Sequence, residues 1–264
     1  MFANPWIAAL IALFTWWFST GAILWLVRQA ERYGVWGPQR AALLALPLLG
    51  IGFRAIAVSG ESAPYLGFFG ALAVWGWIEL AFLTGLITGP NRLPAKIGMS
   101  EVARLRAAWG TIAWHELALA IALISIISMS SGAADKTALW TFLVLYFARI
   151  SAKLNFFLGV PRHHIEFLPE GIAHMGTYFR SGGPGWFYAA SNIALTFAVF
   201  CWIERYMATG GIGFALLGTM TALALLEHWL MVLPLPDEKL WRWMIPAPAK
   251  TTLKRRLSED ANGL

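Results

Sequence analysis

The stretch NPWIAALIALFTWWFSTGAILWLV, residues 4–27, decides the fold class. It contains no Asp, Glu, Lys or Arg, and about 20 apolar residues are enough for a helix to cross the hydrocarbon core of a bilayer. The stretch lacks the basic leading segment and the small-residue cleavage site of a secretory signal. We therefore predict that it remains in the chain as a spanning helix.

The composition of the whole chain indicates an integral membrane protein. Of 264 residues, 58% are hydrophobic and 13% are charged, and the mean hydropathy is +0.61, whereas about 25% of the residues in a soluble domain are charged. Trp contributes 15 residues, many of them near the ends of apolar runs, where indole rings favour the lipid headgroups. The single cysteine, Cys201, excludes an internal disulfide framework.

The fold class that follows is an all-α integral membrane protein, a bundle of seven transmembrane helices. Six further apolar runs are long enough, or nearly long enough, to span a bilayer. The predicted spans are 5–28, 40–58, 64–88, 108–129, 137–157, 185–207 and 211–233. We assign residues 1–245 to this transmembrane domain and residues 246–264 to a basic, disordered tail.

The distribution of Lys and Arg predicts the orientation. The first, third and fifth connections and the tail carry most of the basic residues, and cytoplasmic loops hold the excess. We expect the N-terminus on the periplasmic side and the C-terminus in the cytoplasm. The net charge of +6 then faces anionic membrane lipid. A nucleic-acid partner is not expected, because no long basic soluble domain is present.

Several polar residues interrupt the predicted spans. Each costs about 2.5 to 3.5 kcal/mol at a helix centre, so it normally faces protein and has a partner. Glu79, His115 and His228 lie at similar distances along their helices from the cytoplasmic side, roughly 13 Å at 1.5 Å per residue. We predict one polar layer that contains Glu79, His115, Glu116, Arg149, Lys153, Asn155, Glu227 and His228.

Two of these segments mirror each other. Trp114-His115-Glu116 in the fourth span recurs in reverse as Glu227-His228-Trp229 in the seventh. Because these helices should be antiparallel, the order from the cytoplasm is the same in both. Two imidazoles at equal depth could face one another across a gap.

Three interpretations of the layer stay open from the residues alone. The carboxylates could pair with Arg149 and Lys153 and simply tie the bundle together. Alternatively, His115 and His228 could bind the metal of a tetrapyrrole, with Glu79, Glu116 and Glu227 orienting them and the two cations serving as counter-ions or meeting a propionate. A metalloenzyme is the third, although adjacent His and Glu residues on a helix diverge and cannot easily chelate one metal.

A histidine-rich connection lies outside the predicted spans. The segment GVPRHHIEFLPEGIAHMGTYF, residues 159–179, carries His163, His164 and His174 together with Glu166 and Glu170. A metal site there is conceivable, but we favour a solvated loop on the cytoplasmic surface. The chain lacks Gly-rich phosphate loops, nucleophile elbows and the H-E-x-x-H pattern, so no catalytic residues are predicted and an enzyme is less favoured.

Long sequence blocks resemble one known family, the photosynthetic complex assembly protein 2 family, also called PuhE. The blocks are WGWIELAFLTGLITGP (75–90), AWGTIAWHELALA (108–120), FARISAKLNFFLGVP (147–161), EFLPE (166–170) and ALLEHWLMVLPLPD (224–237), followed by LWRWM. The similarity covers nearly the whole chain. It includes every residue of the predicted polar layer.

The resemblance implies a multi-pass protein of the bacterial inner membrane, including the intracytoplasmic photosynthetic membrane, made alongside the reaction-centre H subunit. Its expected partners are photosynthetic reaction-centre and light-harvesting subunits and membrane lipid. The implied role is complex assembly, and the cofactor we predict from it is bacteriochlorophyll or another tetrapyrrole. The alternatives are a membrane metalloenzyme acting on a tetrapyrrole or an isoprenoid, and a structural subunit of the mature complex.

Overall fold

The computed structural model describes residues 3–34, 37–60, 63–163, 165 and 168–234. The predicted tail, residues 246–264, lies outside the described residues. So do the last part of the predicted transmembrane domain and three residues of the histidine-rich connection, His164, Glu166 and Phe167.

The described chain is helical, and seven stretches are long and apolar enough to cross a membrane. This confirms the predicted number of spans, with two short helices together forming the second. The helices are α1 Pro5–Glu31, α2 Gly37–Leu44, α3 Pro47–Val58, α4 Pro64–Leu83, α5 Glu101–Met129, α6 Thr137–Leu158, the 3-10 helix Glu170–Tyr178, α7 Trp186–Thr209 and α8 Ile212–Leu230.

Capping residues set the starts of two long helices. The Asn4 side chain accepts a hydrogen bond from the backbone N–H of Trp6 at 2.9 Å. The Ser100 hydroxyl accepts one from the backbone N–H of Ala103 at 3.3 Å. Both caps provide acceptors for the first N–H groups of a helix, which have no partner within it. As a result α5 begins well before residue 108, the predicted start of the fourth span.

The second span is broken, which corrects the prediction of one continuous helix over 40–58. The chain turns at Ala45 and Leu46, directly before Pro47, whose ring lacks the N–H that would continue the helical hydrogen bonds. The break leaves backbone carbonyls without helical partners. The indole Nε1–H of Trp77 in α4 donates to one of them, the carbonyl of Ala42, at 3.1 Å.

The centre of the bundle is α4. In the most apolar 18-residue stretch of α4, 61% of the residues are buried, against 6% in the corresponding stretch of α7. It packs on α1, α2, α3, α5, α6 and α8. The crossing with α3 is close because it is made by glycines: a Cβ on Gly52 would lie 2.8 Å from the side chain of Val74 and 2.9 Å from the Gly70 carbonyl. Small residues commonly allow such approaches between membrane helices.

The third span is shorter than predicted, and the chain after it folds back on α5. Helix α4 ends at Leu83 rather than at residue 88, and Gly85 follows with φ +74°, a conformation that favours glycine. The backbone N–H of Asn91 then donates to the Gly110 carbonyl at 3.0 Å. This segment occupies the same end of the bundle as the connection 159–185, and we call it the loop-rich end.

Candidate functional site

The first pair of the polar layer joins α4 to α6. Arg149 Nη2 donates to Glu79 Oε2 at 2.8 Å. The other oxygen, Glu79 Oε1, lies 3.8 Å from Nε2 of His115 on α5, too far for a hydrogen bond. The structure thus brings Glu79, Arg149 and His115 together at the contact of three helices.

The second pair joins α5 to α6. Lys153 Nζ donates to Glu116 Oε1 at 2.5 Å, and the ammonium lies 5.6 Å from the centre of the Phe82 ring. Arg149 and Lys153 are one helical turn apart and therefore share a face of α6. Two of the three predicted carboxylates are accordingly ion-paired with the two predicted cations.

His228 on α8 is buried and has both ring nitrogens in hydrogen bonds. Nδ1 lies 2.8 Å from the Ala224 carbonyl, and Nε2 lies 2.8 Å from the Ser151 hydroxyl on α6. Because a carbonyl can only accept, the tautomer that satisfies both contacts has its proton on Nδ1 and accepts from Ser151 at Nε2. A metal at His228 would have to displace Ser151.

His115 has a different environment. It is fully buried, its ring centre lies 4.3 Å from that of Phe82, and neither ring nitrogen has a hydrogen-bond partner. No hydrogen bond, ion pair or ring contact among the described residues joins His115 to His228. Helix α6 packs on both α5 and α8 and supplies separate partners to the two mirrored segments. Metal or pigment binding by these histidines stays a prediction.

The third carboxylate, Glu227 on α8, contacts α1. The indole Nε1–H of Trp16 donates to Glu227 Oε1 at 3.0 Å. The Glu227 side chain is exposed, although it lies in a helix apolar enough to span the bilayer.

Asn155 lies apart from these pairs. Its side-chain amide donates to the Ser191 hydroxyl on α7 at 3.1 Å, and both residues are buried. Ser191 is the buried residue of α7. Asn155 therefore ties the peripheral helix α7 to α6.

A large cavity adjoins four members of the layer. Its volume is about 1060 Å³, and its walls are parts of α1, α4, α5, α6, α8 and the 159–185 connection. Most of the lining is aliphatic or aromatic, and the charged side chains of the layer that reach it are Glu116, Arg149, Lys153 and Glu227. Neither His115 nor His228 is among the lining residues.

The cavity has apolar residues at an exposed edge. Phe14 on α1 is 59% exposed and Trp109 on α5 is 58% exposed, and both line the cavity. Helix α1 packs on α2, α4 and α8, whereas α5 packs on α3, α4, α6 and the 3-10 helix. These two helices thus contribute separate parts of the cavity wall.

Residues 2–252 match the model of a family described as a protein of unknown function, DUF3623. The chain belongs to the DUF3623 family. It is 48% identical, over 259 residues that cover 94% of each chain, to a Rhodobacter capsulatus protein described as an uncharacterized 30.4 kDa protein in the puhA 5′ region. No solved structure matches the chain significantly.

The histidine-rich connection of this DUF3623 protein shows no metal cluster in its described part, and no group of three His, Cys, Asp or Glu side chains suited to a metal occurs among the described residues. His163 Nε2 lies 3.4 Å from the Ser181 hydroxyl. Partial burial lowers the pKa of His174, a hydrogen bond with the Asn91 backbone opposes this, and the charge of Arg92 adds to the lowering.

Sequence reasoning missed Trp16 and Ser151, which hold Glu227 and His228. Ser151 lies between Arg149 and Lys153 in the sequence, and a hydroxyl within a spanning helix was a usable signal. Trp16 is one of many Trp residues in the DUF3623 chain, and its pairing with a residue 211 positions away has no local signature.

Proposed function

We propose that this protein is a membrane assembly factor for bacterial photosynthetic reaction-centre and light-harvesting complexes, and that it holds a bacteriochlorophyll-type pigment or another tetrapyrrole before delivery. The Rhodobacter capsulatus relative is described by its place in the puhA 5′ region, which supports a photosynthetic setting. It agrees with the resemblance to the PuhE family. The bacterial inner membrane, including the intracytoplasmic photosynthetic membrane, is the proposed location.

The cavity carries this proposal. Pockets for small molecules and cofactors usually measure about 300 to 1,000 Å³ and combine apolar walls with a few polar groups. This cavity, at about 1060 Å³, is slightly larger than that range. Its edge between α1 and α5 suits a ligand that arrives from lipid rather than from water.

The residue roles follow from the contacts. Arg149, Lys153, Glu116 and Glu227 are the members of the polar layer that line the cavity, while Glu79 holds Arg149 in place. In the proposal His115 and His228 remain candidate ligands for a pigment metal, each after a rearrangement of its surroundings. Asn155 contributes by holding α7 on α6.

The ion pairs also support a second candidate, a structural subunit of the mature complex in which the layer holds the helices together. Glu79–Arg149 and Glu116–Lys153 connect three helices. Such a subunit would co-purify with mature complexes at one copy per complex and carry no pigment of its own.

The test is the pigment content of the protein purified in mild detergent from a bacteriochlorophyll-producing host. We expect a Soret band and a Qy band, and we expect both to be lost in Ala108→Trp and in Ala152→Trp, because each substitution places an indole in the cavity. The matched control is Ala194→Trp on α7, where Ala194 is exposed and lies outside the cavity lining.

Three outcomes decide whether the protein holds pigment in this cavity. Pigment in the wild type and in the control, with none in the two cavity variants, supports the proposal. A colourless wild-type protein overturns it. Equal pigment in the cavity variants and the wild type overturns the assignment of pigment to this cavity.

A further inference from the structure

The charged layer contains one more carboxyl group than it has cations. Glu79 is paired with Arg149, and Glu116 is paired with Lys153. Glu227 makes no ion pair within the described chain, and its hydrogen bond comes from the neutral indole of Trp16. His115 does not supply the missing cation, because neither of its nitrogens has a hydrogen-bond partner to stabilise a protonated ring.

An unpaired charge in this position is unfavourable. Glu227 lies at an apolar cavity wall, beside Leu223, Leu226 and Leu230 on its own helix. A carboxyl group with apolar neighbours and no ion-pair partner is more stable in its neutral form than as a carboxylate. The layer as a whole then becomes neutral, with two ion pairs and one carboxylic acid.

A neutral carboxyl group carries one O–H donor. The indole N–H can only donate, and it occupies Oε1 of Glu227 as an acceptor. The acid proton therefore belongs on Oε2, where it needs an acceptor. Within the cavity the ligand can provide that acceptor.

We propose that Glu227, positioned by Trp16, donates a hydrogen bond to a carbonyl oxygen of the ligand in the cavity. The ligand class is a neutral, lipid-soluble molecule with at least one ring or ester carbonyl on a large apolar body. A free carboxylate fits less well, because both cations of the layer already have carboxylate partners. This inference rests on the proposed function and specifies the chemistry that the same cavity recognises.

The probe is bacteriochlorophyll a, which carries such carbonyl groups, bound to the purified full-length protein. Resonance Raman spectroscopy measures its carbonyl stretching bands, which fall in frequency when a carbonyl accepts a hydrogen bond. Glu227→Gln keeps an N–H donor at the same place and should keep the lowered band. Glu227→Leu should return the band to its free frequency and weaken binding by roughly three- to tenfold, the loss of one hydrogen bond.

Two further variants separate recognition from folding. Trp16→Phe removes the group that positions Glu227 but retains an aromatic ring, and it should shift the band part of the way. Glu204→Leu on α7, whose carboxylate is exposed and pairs with neighbouring Arg205, should leave both the band and the affinity unchanged. Size-exclusion profiles identify any variant that fails to fold. If Glu227→Leu fails, the Trp16→Phe shift decides the test, and an unchanged band in that variant overturns the hydrogen bond.

The outcomes distinguish this inference from the proposed function. A wild-type protein that binds no bacteriochlorophyll overturns both. A wild-type protein that binds pigment, with an unchanged carbonyl band in Glu227→Leu, overturns the hydrogen bond alone. Loss of the lowered band in Glu227→Gln also overturns it, because that variant still presents a neutral donor.

Discussion

Arg149 neutralises a carboxylate that the bundle has removed from water. Its guanidinium donates to Glu79 at 2.8 Å, and the Glu79 side chain is 10% exposed. Breaking a buried ion pair by removing one partner leaves the other charge uncompensated.

The Arg149 side chain is 35% exposed, so the pair is only partly buried. We therefore expect Arg149→Ala to lower the free energy of unfolding in detergent by about 1 to 3 kcal/mol. Adding Glu79→Gln should restore a large part of that loss, since it removes the unpaired charge. Arg205→Ala is the matched control, because Arg205 is exposed and pairs with exposed Glu204. An equal loss of unfolding free energy in Arg149→Ala and Arg205→Ala would contradict this role of Arg149.

His174 provides a pH-dependent term at the loop-rich end. Burial lowers its pKa below the ordinary value of 6.5, so the unfolded chain binds the proton more readily than the folded protein does. The stabilisation is present above pH 6.5 and is lost as the pH falls below that value.

The thermal midpoint in detergent should therefore fall less between pH 7.5 and pH 5.5 in His174→Gln than in the wild type. His163→Gln is a useful comparison from the same connection. A wild-type midpoint whose pH dependence matches that of His174→Gln would rule out this role for His174.

At the residue scale, the sequence predicted which polar residues interrupt the spans, but it did not predict how they pair. Insertion cost alone identified the carboxylates and cations, because each is expensive in a spanning helix. Their partners depend on helix neighbours and rotation, which a single chain does not encode locally. For the same reason the mirrored segments of α5 and α8 suggested a direct approach, whereas α6 supplies each with its own partners.

Among the elements, the crossing of α3 and α4 depends on two glycines. A Cβ on Gly70 would lie 2.9 Å from the side chain of Ile56 and 3.0 Å from the Gly52 carbonyl. Backbone atoms cannot move aside as a flexible side chain can, so even alanine separates the helices.

Gly52→Ala should cost about 1 to 3 kcal/mol through overpacking, measured as a lower thermal midpoint and a lower yield of monodisperse protein. Gly50→Ala lies in the same helix with nothing within 4 Å of the added Cβ and should be neutral or slightly stabilising. The proposed crossing is wrong if Gly50→Ala is as harmful as Gly52→Ala.

Helix number followed from hydropathy, but helix ends did not. The apolar run after α4 continues through Leu86 and Ile87, yet the helix ends earlier because Gly85 adopts a positive φ. The break before Pro47 had a visible signal in the proline itself. The apolar run nevertheless favoured one continuous helix, since hydropathy reports how apolar a stretch is and not its backbone geometry.

For the molecule as a whole, the distribution of basic residues predicts that the loop-rich end faces the cytoplasm. In a Cys201→Ala background, Gly183→Cys at that end should react with a membrane-impermeant maleimide only after cell lysis. Ser131→Cys, in the exposed turn between α5 and α6, should react in intact cells. The reverse pattern would invert the topology.

The broken second span bears on how the chain enters the membrane. Helices α2 and α3 contain 8 and 12 residues, and each alone is too short to cross a bilayer. The Ala42 carbonyl at their junction is satisfied by Trp77, which is synthesised later, and an unsatisfied carbonyl in lipid is costly. We therefore expect α2 and α3 to settle in the bilayer only together with α4, so that the two spans leave the insertion machinery as one hairpin.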